Sequence, residues 1–168
     1  MNLIKEKKDL EILDLGAGSA STSILIKSKL KICSIIAIDF IEKIATYLKS
    51  LKYKQDNVYD KVFSIDFIEY LQDSSHKFDI IYGSNLVNYY QNLAPIFKLF
   101  YSNLKDGGFL AFSFEIMEDD KILSYDKQNY CHNYDKTLDL LNKAKFKNVN
   151  VKKADIFNKS IALVTCEK

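Results

Sequence analysis

From Leu10 to Glu115 the sequence alternates short unbroken apolar runs with stretches of helical period, and this rhythm constrains the fold more than any other feature. "LEILDLG" (10–16), "ICSIIAID" (32–39), "KVFSID" (61–66), "KFDIIYGSN" (77–85) and "FLAFSFE" (109–115) read as strands. Between them "SASTSILIKSKL" (19–30), "FIEKIATYLKSLKY" (40–53), "FIEYLQD" (67–73) and "LAPIFKLFYSNLK" (93–105) read as helices. Strands that are apolar on both faces and separated by helices predict an α/β, doubly wound, mostly parallel sheet. After Glu115 the rhythm breaks into a polar, tyrosine-rich stretch (116–135), followed by a last helix (136–146). Two strand-like pieces near 148–155 and 160–167 pair as a C-terminal antiparallel hairpin, which brings the sheet to seven strands. A chain of 168 residues without repeats or a linker is expected to form one domain with a short N-terminus.

Composition narrows the function classes. No apolar run approaches the ~20 residues of a membrane-spanning helix, and "MNLIKEKKDLEIL" is too charged for a secretory signal. The expectation is a cytoplasmic protein with no membrane partner. Cys33, Cys131 and Cys166 are widely spaced and show no metal-ligand pattern, so they read as reduced thiols. All 24 basic residues are lysines. Arginine supplies the fork used for bidentate phosphate and guanine contacts, so sequence-specific nucleic-acid recognition is not expected. The lysines at 5–8 and 152–153 read as solvated faces.

Chemistry enters at "EILDLGAGSAS" (11–21). Gly16 and Gly18 permit a tight turn between strand and helix, and the helix start offers N–H groups to an anion. Ser21 stands where a dinucleotide loop would carry its third glycine, and Asp14 precedes the glycines. A carboxylate there suits a ligand that carries an ammonium, as a methionine moiety does, better than a pyrophosphate. Asp39, which ends the second strand 21 residues beyond Gly18, is placed for ribose hydroxyls.

These segments together resemble the class I S-adenosylmethionine-dependent methyltransferases from about residue 10 to the end. "LDLGAGSAS" resembles the family's first motif, with Ala20 for its last glycine, and "IIAID" resembles its second. "VFSIDFIEY" is similar to the third-strand segment, whose acid accepts the adenine amino group. "KFDIIYGSNLVNYYQNL" and "LKDGGFLAFSFE" resemble later segments, with Asp106 where proline is usual. "NYCHNYDKTLDLLNKAKFKNV" looks like the tail of predicted methyltransferases sometimes fused to tetratricopeptide repeats; Asn129 and Asn133 replace that tail's arginine and serine.

The resemblance implies a Rossmann-like sheet and S-adenosyl-L-methionine as cofactor, with no metal. Cofactor contacts fall on Asp14, Gly16, Ala17, Gly18, Asp39, Phe40, Asp66, Phe67 and Ser84. Asn85, Tyr89 and Tyr130 fall on the acceptor side, with Tyr90 and Tyr125 as further aromatic walls and His132 as a base. The expected activity is methyl transfer to a small molecule or a protein side chain. Methylation of nucleic-acid bases is disfavoured, since no D-P-P-Y or N-P-P-Y follows the fourth strand.

Each residue also has a plain structural reading. The glycines can form a simple turn, Asp66 can be a helix N-cap, and Asp79 can brace a strand. Ser84 and Asn85 can close a turn, Tyr89 and Tyr90 can pack, and His132 can be a solvated loop residue. Two other functions remain open. One is a non-catalytic methyltransferase-fold module that serves a partner subunit or a second copy, motivated by the few residues before Leu10. The other is a nicotinamide-dependent oxidoreductase, against which Ser21 and Asp14 argue.

Overall fold

The computed structural model describes residues 9–30, 33–117, 129–156 and 159–168. Strand β1 (Leu10–Leu15) is central and buried on both faces, which is why it lacks polar alternation. Leu13 and Leu15 enter one core, while Leu10 and Ile12 enter a second core on the opposite face. The chain continues through α1 (Ser21–Lys29), β2 (Cys33–Ile38), α2 (Glu42–Ser50), a short β3–β4 hairpin (Lys52–Tyr53, Asp56–Asn57), β5 (Lys61–Phe63) and α3 (Phe67–Asp73). It then crosses the sheet to β6 (Phe78–Gly83), a 3-10 turn (Leu86–Tyr89), α4 (Ala94–Asn103) and β7 (Leu104–Met117). The two-residue β8 (His132–Asn133), α5 (Tyr134–Lys143), β9 (Lys147–Ile156) and β10 (Lys159–Glu167) complete it.

The main sheet runs β5-β2-β1-β6-β7-β10-β9, and β8 adds to the end of β7. Neighbours from β5 to β7 are parallel, whereas β10 is antiparallel to both β7 and β9. The expected seven-stranded, mostly parallel sheet with its terminal antiparallel hairpin is thus present. Strand order reverses between β1 and β6, and the crevice beyond their carboxyl ends is where such sheets bind ligands.

Three details depart from the sequence reading. The hairpin at 52–57 was unexpected, β5 stops at Phe63, and α5 starts two residues early because Asn133 caps it, its Oδ1 accepting from Lys136 N at 3.0 Å. The turn at "LKDGG" lies within β7 as a wide bulge: Phe78 pairs with Leu104, yet Ile80 pairs with Phe109. Lys105, on this bulge, donates to Asp79 (2.8 Å) and Glu11 (2.6 Å), and Asp79 also accepts from Glu11 N (3.1 Å). Asp79 therefore braces the amino ends of β1 and β6, away from the ligand crevice.

Gly83 ends β6 where backbone must pass close to backbone. A Cβ there would lie 2.9 Å from the Leu15 carbonyl and 3.2 Å from Leu86. Gly83→Ala should therefore cost roughly 1–3 kcal/mol of unfolding free energy, as overpacking does. A denaturant midpoint equal to wild type would contradict this contact.

Candidate functional site

Beyond Leu15 the chain must turn sharply to start α1, and it does so with positive φ at Gly16 (64°), Gly18 (49°) and Ala20 (61°). Gly16 N donates to Ile38 O at 2.8 Å, tying the loop to the end of β2. The loop is also held by charge. Asp39, 6 % exposed, accepts from Gly18 N (3.1 Å) through Oδ2 and from Ile41 N (3.0 Å) through Oδ1. An ionised carboxylate offers about four lone-pair sites, so each oxygen keeps capacity for one more donor. Phe40, the next residue, is 73 % exposed and leaves an apolar face beside that carboxylate. The N-terminus of α1 has no side-chain cap, so its first-turn N–H groups face the loop without a protein acceptor from a capping side chain.

Asp66 is the N-cap that the plain reading of the sequence allowed. Its Oδ1 caps α3 by accepting from Ile68 N at 2.7 Å, and its Oδ2 faces the Tyr90 hydroxyl at 3.5 Å. Asp66 remains exposed. Phe67 does not offer a free face: it is 4 % exposed, in the core, with its ring edge-on to Tyr90 at 5.3 Å. The apolar α3 side had to be buried, and Phe67 and Leu71 lie on it four residues apart.

Asp14 lies beneath the loop, 3 % exposed. Its Oδ2 accepts from the Ser23 hydroxyl (2.8 Å) and the Tyr59 hydroxyl (2.8 Å), and Ser23 also contacts Tyr82 through a very short hydrogen bond. Burial pushes the Asp14 carboxyl above its usual range, against the lowering effect of the Tyr82, Tyr59 and Ser23 hydroxyls; the like charge of Asp39 adds to the rise. Ser23, Tyr59 and Tyr82 were not singled out in the sequence.

At the end of β6, Ser84 and Asn85 are exposed, and Asn85 adopts positive φ (56°) to start the 3-10 turn. Asn85 N donates to Ser113 Oγ (2.9 Å), and that hydroxyl donates back to Asn85 Oδ1 (3.1 Å). Tyr89 is 61 % exposed on this turn. The turn touches the glycine loop, since a Cβ on Gly16 would lie 3.1 Å from Leu86.

The tail segment folds back onto the same turn. Tyr130 N donates to Asn88 O (2.6 Å), and His132 Nε2 lies 3.1 Å from Val87 O. His132 pairs with Ile116 at the carboxyl end of β7 and is 6 % exposed. The alternative reading of His132 as a solvated loop residue is therefore corrected. The β8 register turns it inward, edge-on to Phe114 at 6.2 Å. A carbonyl only accepts, so Nε2 carries the hydrogen and Nδ1 of the neutral ring keeps its lone pair. Tyr125 lies outside the described residues.

Burial lowers the His132 pKa from 6.5, more than the Val87 hydrogen bond raises it. The unfolded chain then binds the extra proton, so His132's contribution is complete above about pH 6.5 and is lost as pH falls toward the lower folded value. Wild-type stability should fall more steeply than that of His132→Gln between pH 7 and 5. Parallel melting curves for the two proteins over that range would refute this.

A family model described as a methyltransferase domain matches residues 6–140. No curated protein matches the sequence significantly. The fold is similar to magnesium protoporphyrin IX methyltransferase from Synechocystis PCC 6803 with bound SAM, at 15 % identity and a TM-score of 0.75, covering 99 % of this chain and 74 % of that one. A SAM-dependent methyltransferase from Methanosarcina mazei is similar at 16 % identity and a TM-score of 0.72, with 100 % and 97 % covered. Phosphoethanolamine N-methyltransferase 2 from Haemonchus contortus, in complex with S-adenosyl-L-methionine, is similar at 13 % identity and a TM-score of 0.72, with 96 % and 49 % covered. The sheet order, the glycine loop pinned by Asp39 and the family match over most of the length agree: this chain belongs to the methyltransferase-domain family.

Proposed function

We propose that this protein transfers a methyl group from S-adenosyl-L-methionine to a small molecule or a protein side chain. The observation that carries the reading is the loop from Gly16 to Ala20, fastened to Asp39 and opening onto the uncapped start of α1. Asp39 receives ribose hydroxyls, with Phe40 beside them. Asp66 Oδ2 receives the adenine amino group. The first turn of α1 receives the carboxylate, and Asp14 lies on the side of the ammonium. Ala17 keeps the loop narrow. Similar folds bind this cofactor according to their descriptions, while their acceptors differ widely, which leaves the acceptor to be named by experiment.

The bound cofactor supplies an activated sulfonium methyl group. The remaining task of the protein is to hold a nucleophile in line and to exclude water. Ser84, Asn85, Tyr89 and Tyr130 surround the place where the crevice opens between the turn after β6 and the tail. The His132 Nδ1 lone pair can take a proton from a hydroxyl or amine acceptor, and the lowered pKa leaves the ring unprotonated near neutrality.

The test is methyl transfer from labelled S-adenosylmethionine to panels of phenols, amines, carboxylic acids and proteins, using the pure chain. Transfer to one class is expected, and His132→Gln should slow it roughly 10²-fold with cofactor affinity unchanged. Wild-type rates in that variant would leave His132 a packing residue. Tight cofactor binding without transfer to any class would favour a non-catalytic module.

A further inference from the structure

The Asp14 carboxylate is sunk beneath the loop, and three hydroxyls drawn from separate places gather around it. Ser23 comes from α1, Tyr59 from the segment between the β3–β4 hairpin and β5, and Tyr82 from β6. Their hydrogens have a fixed direction. Ser23 has a single hydroxyl hydrogen and gives it to Asp14 Oδ2, so Tyr82 must be the donor in its bond to Ser23. Tyr59 gives its hydrogen to the same oxygen. Ser23 and Tyr59 therefore point their hydrogens at one carboxylate oxygen, and Tyr82 supports it through Ser23.

Hydrogen bonds of this kind favour the ionised acid, while burial favours the neutral one. Here burial prevails, and the charged neighbour that acts on Asp14 is Asp39, which disfavours ionisation further. The tyrosines cannot share the negative charge, because burial and the nearby Asp14 push both phenols far above their usual range. A buried anion held by neutral donors alone is compensated when a cation arrives.

We propose that Ser23, Tyr59 and Tyr82 are positioning residues that set the charge on Asp14, and through it make affinity for the ammonium-bearing end of the cofactor fall in acid. This rests on the proposed cofactor reading. As pH falls and Asp14 takes up a proton, binding must release that proton to solvent before the carboxylate faces an ammonium. Removing one hydroxyl donor raises the pH at which this cost begins.

The experiment is calorimetric titration of the full chain with S-adenosylhomocysteine and with methylthioadenosine from pH 5 to 7.5. The second ligand has the same adenine and ribose but no amino-acid part, so it shares any dependence due to Asp39 or Asp66. S-adenosylhomocysteine should lose affinity toward acid more steeply than methylthioadenosine. In Tyr59→Phe and Tyr82→Phe the loss should begin at a higher pH than in wild type, so that S-adenosylhomocysteine binds more weakly than to wild type at the acid end while methylthioadenosine does not. Parallel wild-type profiles for the two ligands would overturn the inference, and so would variant profiles that superpose on wild type. Failure of both ligands to bind at any pH would instead remove the cofactor reading on which it rests.

Discussion

Asp39→Ala is expected to weaken S-adenosylhomocysteine binding by about 10²- to 10⁴-fold. The carboxylate is 6 % exposed and already fixed by Gly18 N and Ile41 N, so its remaining acceptor sites need no reorganisation to meet two ribose hydroxyls. Hydrogen bonds to a charged acceptor contribute about 1.5–3 kcal/mol each, and two of them give that range of affinity. Alanine also leaves two backbone donors without their acceptor, so the glycine loop loses one of its ties to the end of β2 and keeps the Gly16–Ile38 bond. Asp39→Asn keeps one acceptor oxygen and should fall between the two proteins. Calorimetry below the melting temperature of the variant checks this; affinity within threefold of wild type would mean that Asp39 serves the loop alone.

Asp14→Asn is expected to separate stability from binding. The native protein carries the cost of burying the Asp14 carboxylate to the extent that it is ionised, and that cost grows as pH rises. Its folded pKa lies above the unfolded value of 3.8, so its contribution to stability is greatest in acid and declines as pH rises through that value toward the folded one. The amide has the same shape and no charge. It can accept from Ser23 and Tyr59, while its NH₂ group can donate to the Tyr82 oxygen. Each kcal/mol recovered raises the melting temperature by about 2–4 °C in a chain of this size. The same change removes the counter-charge to an ammonium, so S-adenosylhomocysteine affinity should fall tenfold or more while methylthioadenosine affinity holds. A variant that melts lower than wild type at pH 8 would show that the hydroxyl cluster more than compensates the buried charge.

What could be read in advance follows from how local each feature is. The motif around Gly16 and Gly18 lies within eleven residues, and Asp39 ends a run of apolar residues that announces a strand. Both were legible, as was the mostly parallel sheet that follows from alternating strands and helices. Tyr59 and Tyr82 were not, because they meet the Asp14 cluster across 45 and 59 residues of sequence. Among 11 tyrosines, nothing local marks the two whose hydroxyls are buried on an acid. The β3–β4 hairpin was hidden for a different reason: its two-residue strands, Lys52–Tyr53 and Asp56–Asn57, carry no apolar run. The burial of His132 was not legible from its polar neighbours, since pairing with β7 rather than local composition carries it under Val87. Phe67 was misjudged in the opposite sense, because helix periodicity turned it into the core and away from the crevice.

The central claim is that the crevice formed by the glycine loop, Asp39 and Asp66 holds S-adenosyl-L-methionine. Calorimetric titration of the pure chain at pH 7.5 with S-adenosylmethionine, S-adenosylhomocysteine and NADH tests it most directly. Saturable binding of the first two in the micromolar range, with none of NADH, is the result the account predicts. Absence of binding by both sulfur nucleotides at millimolar concentration would contradict it.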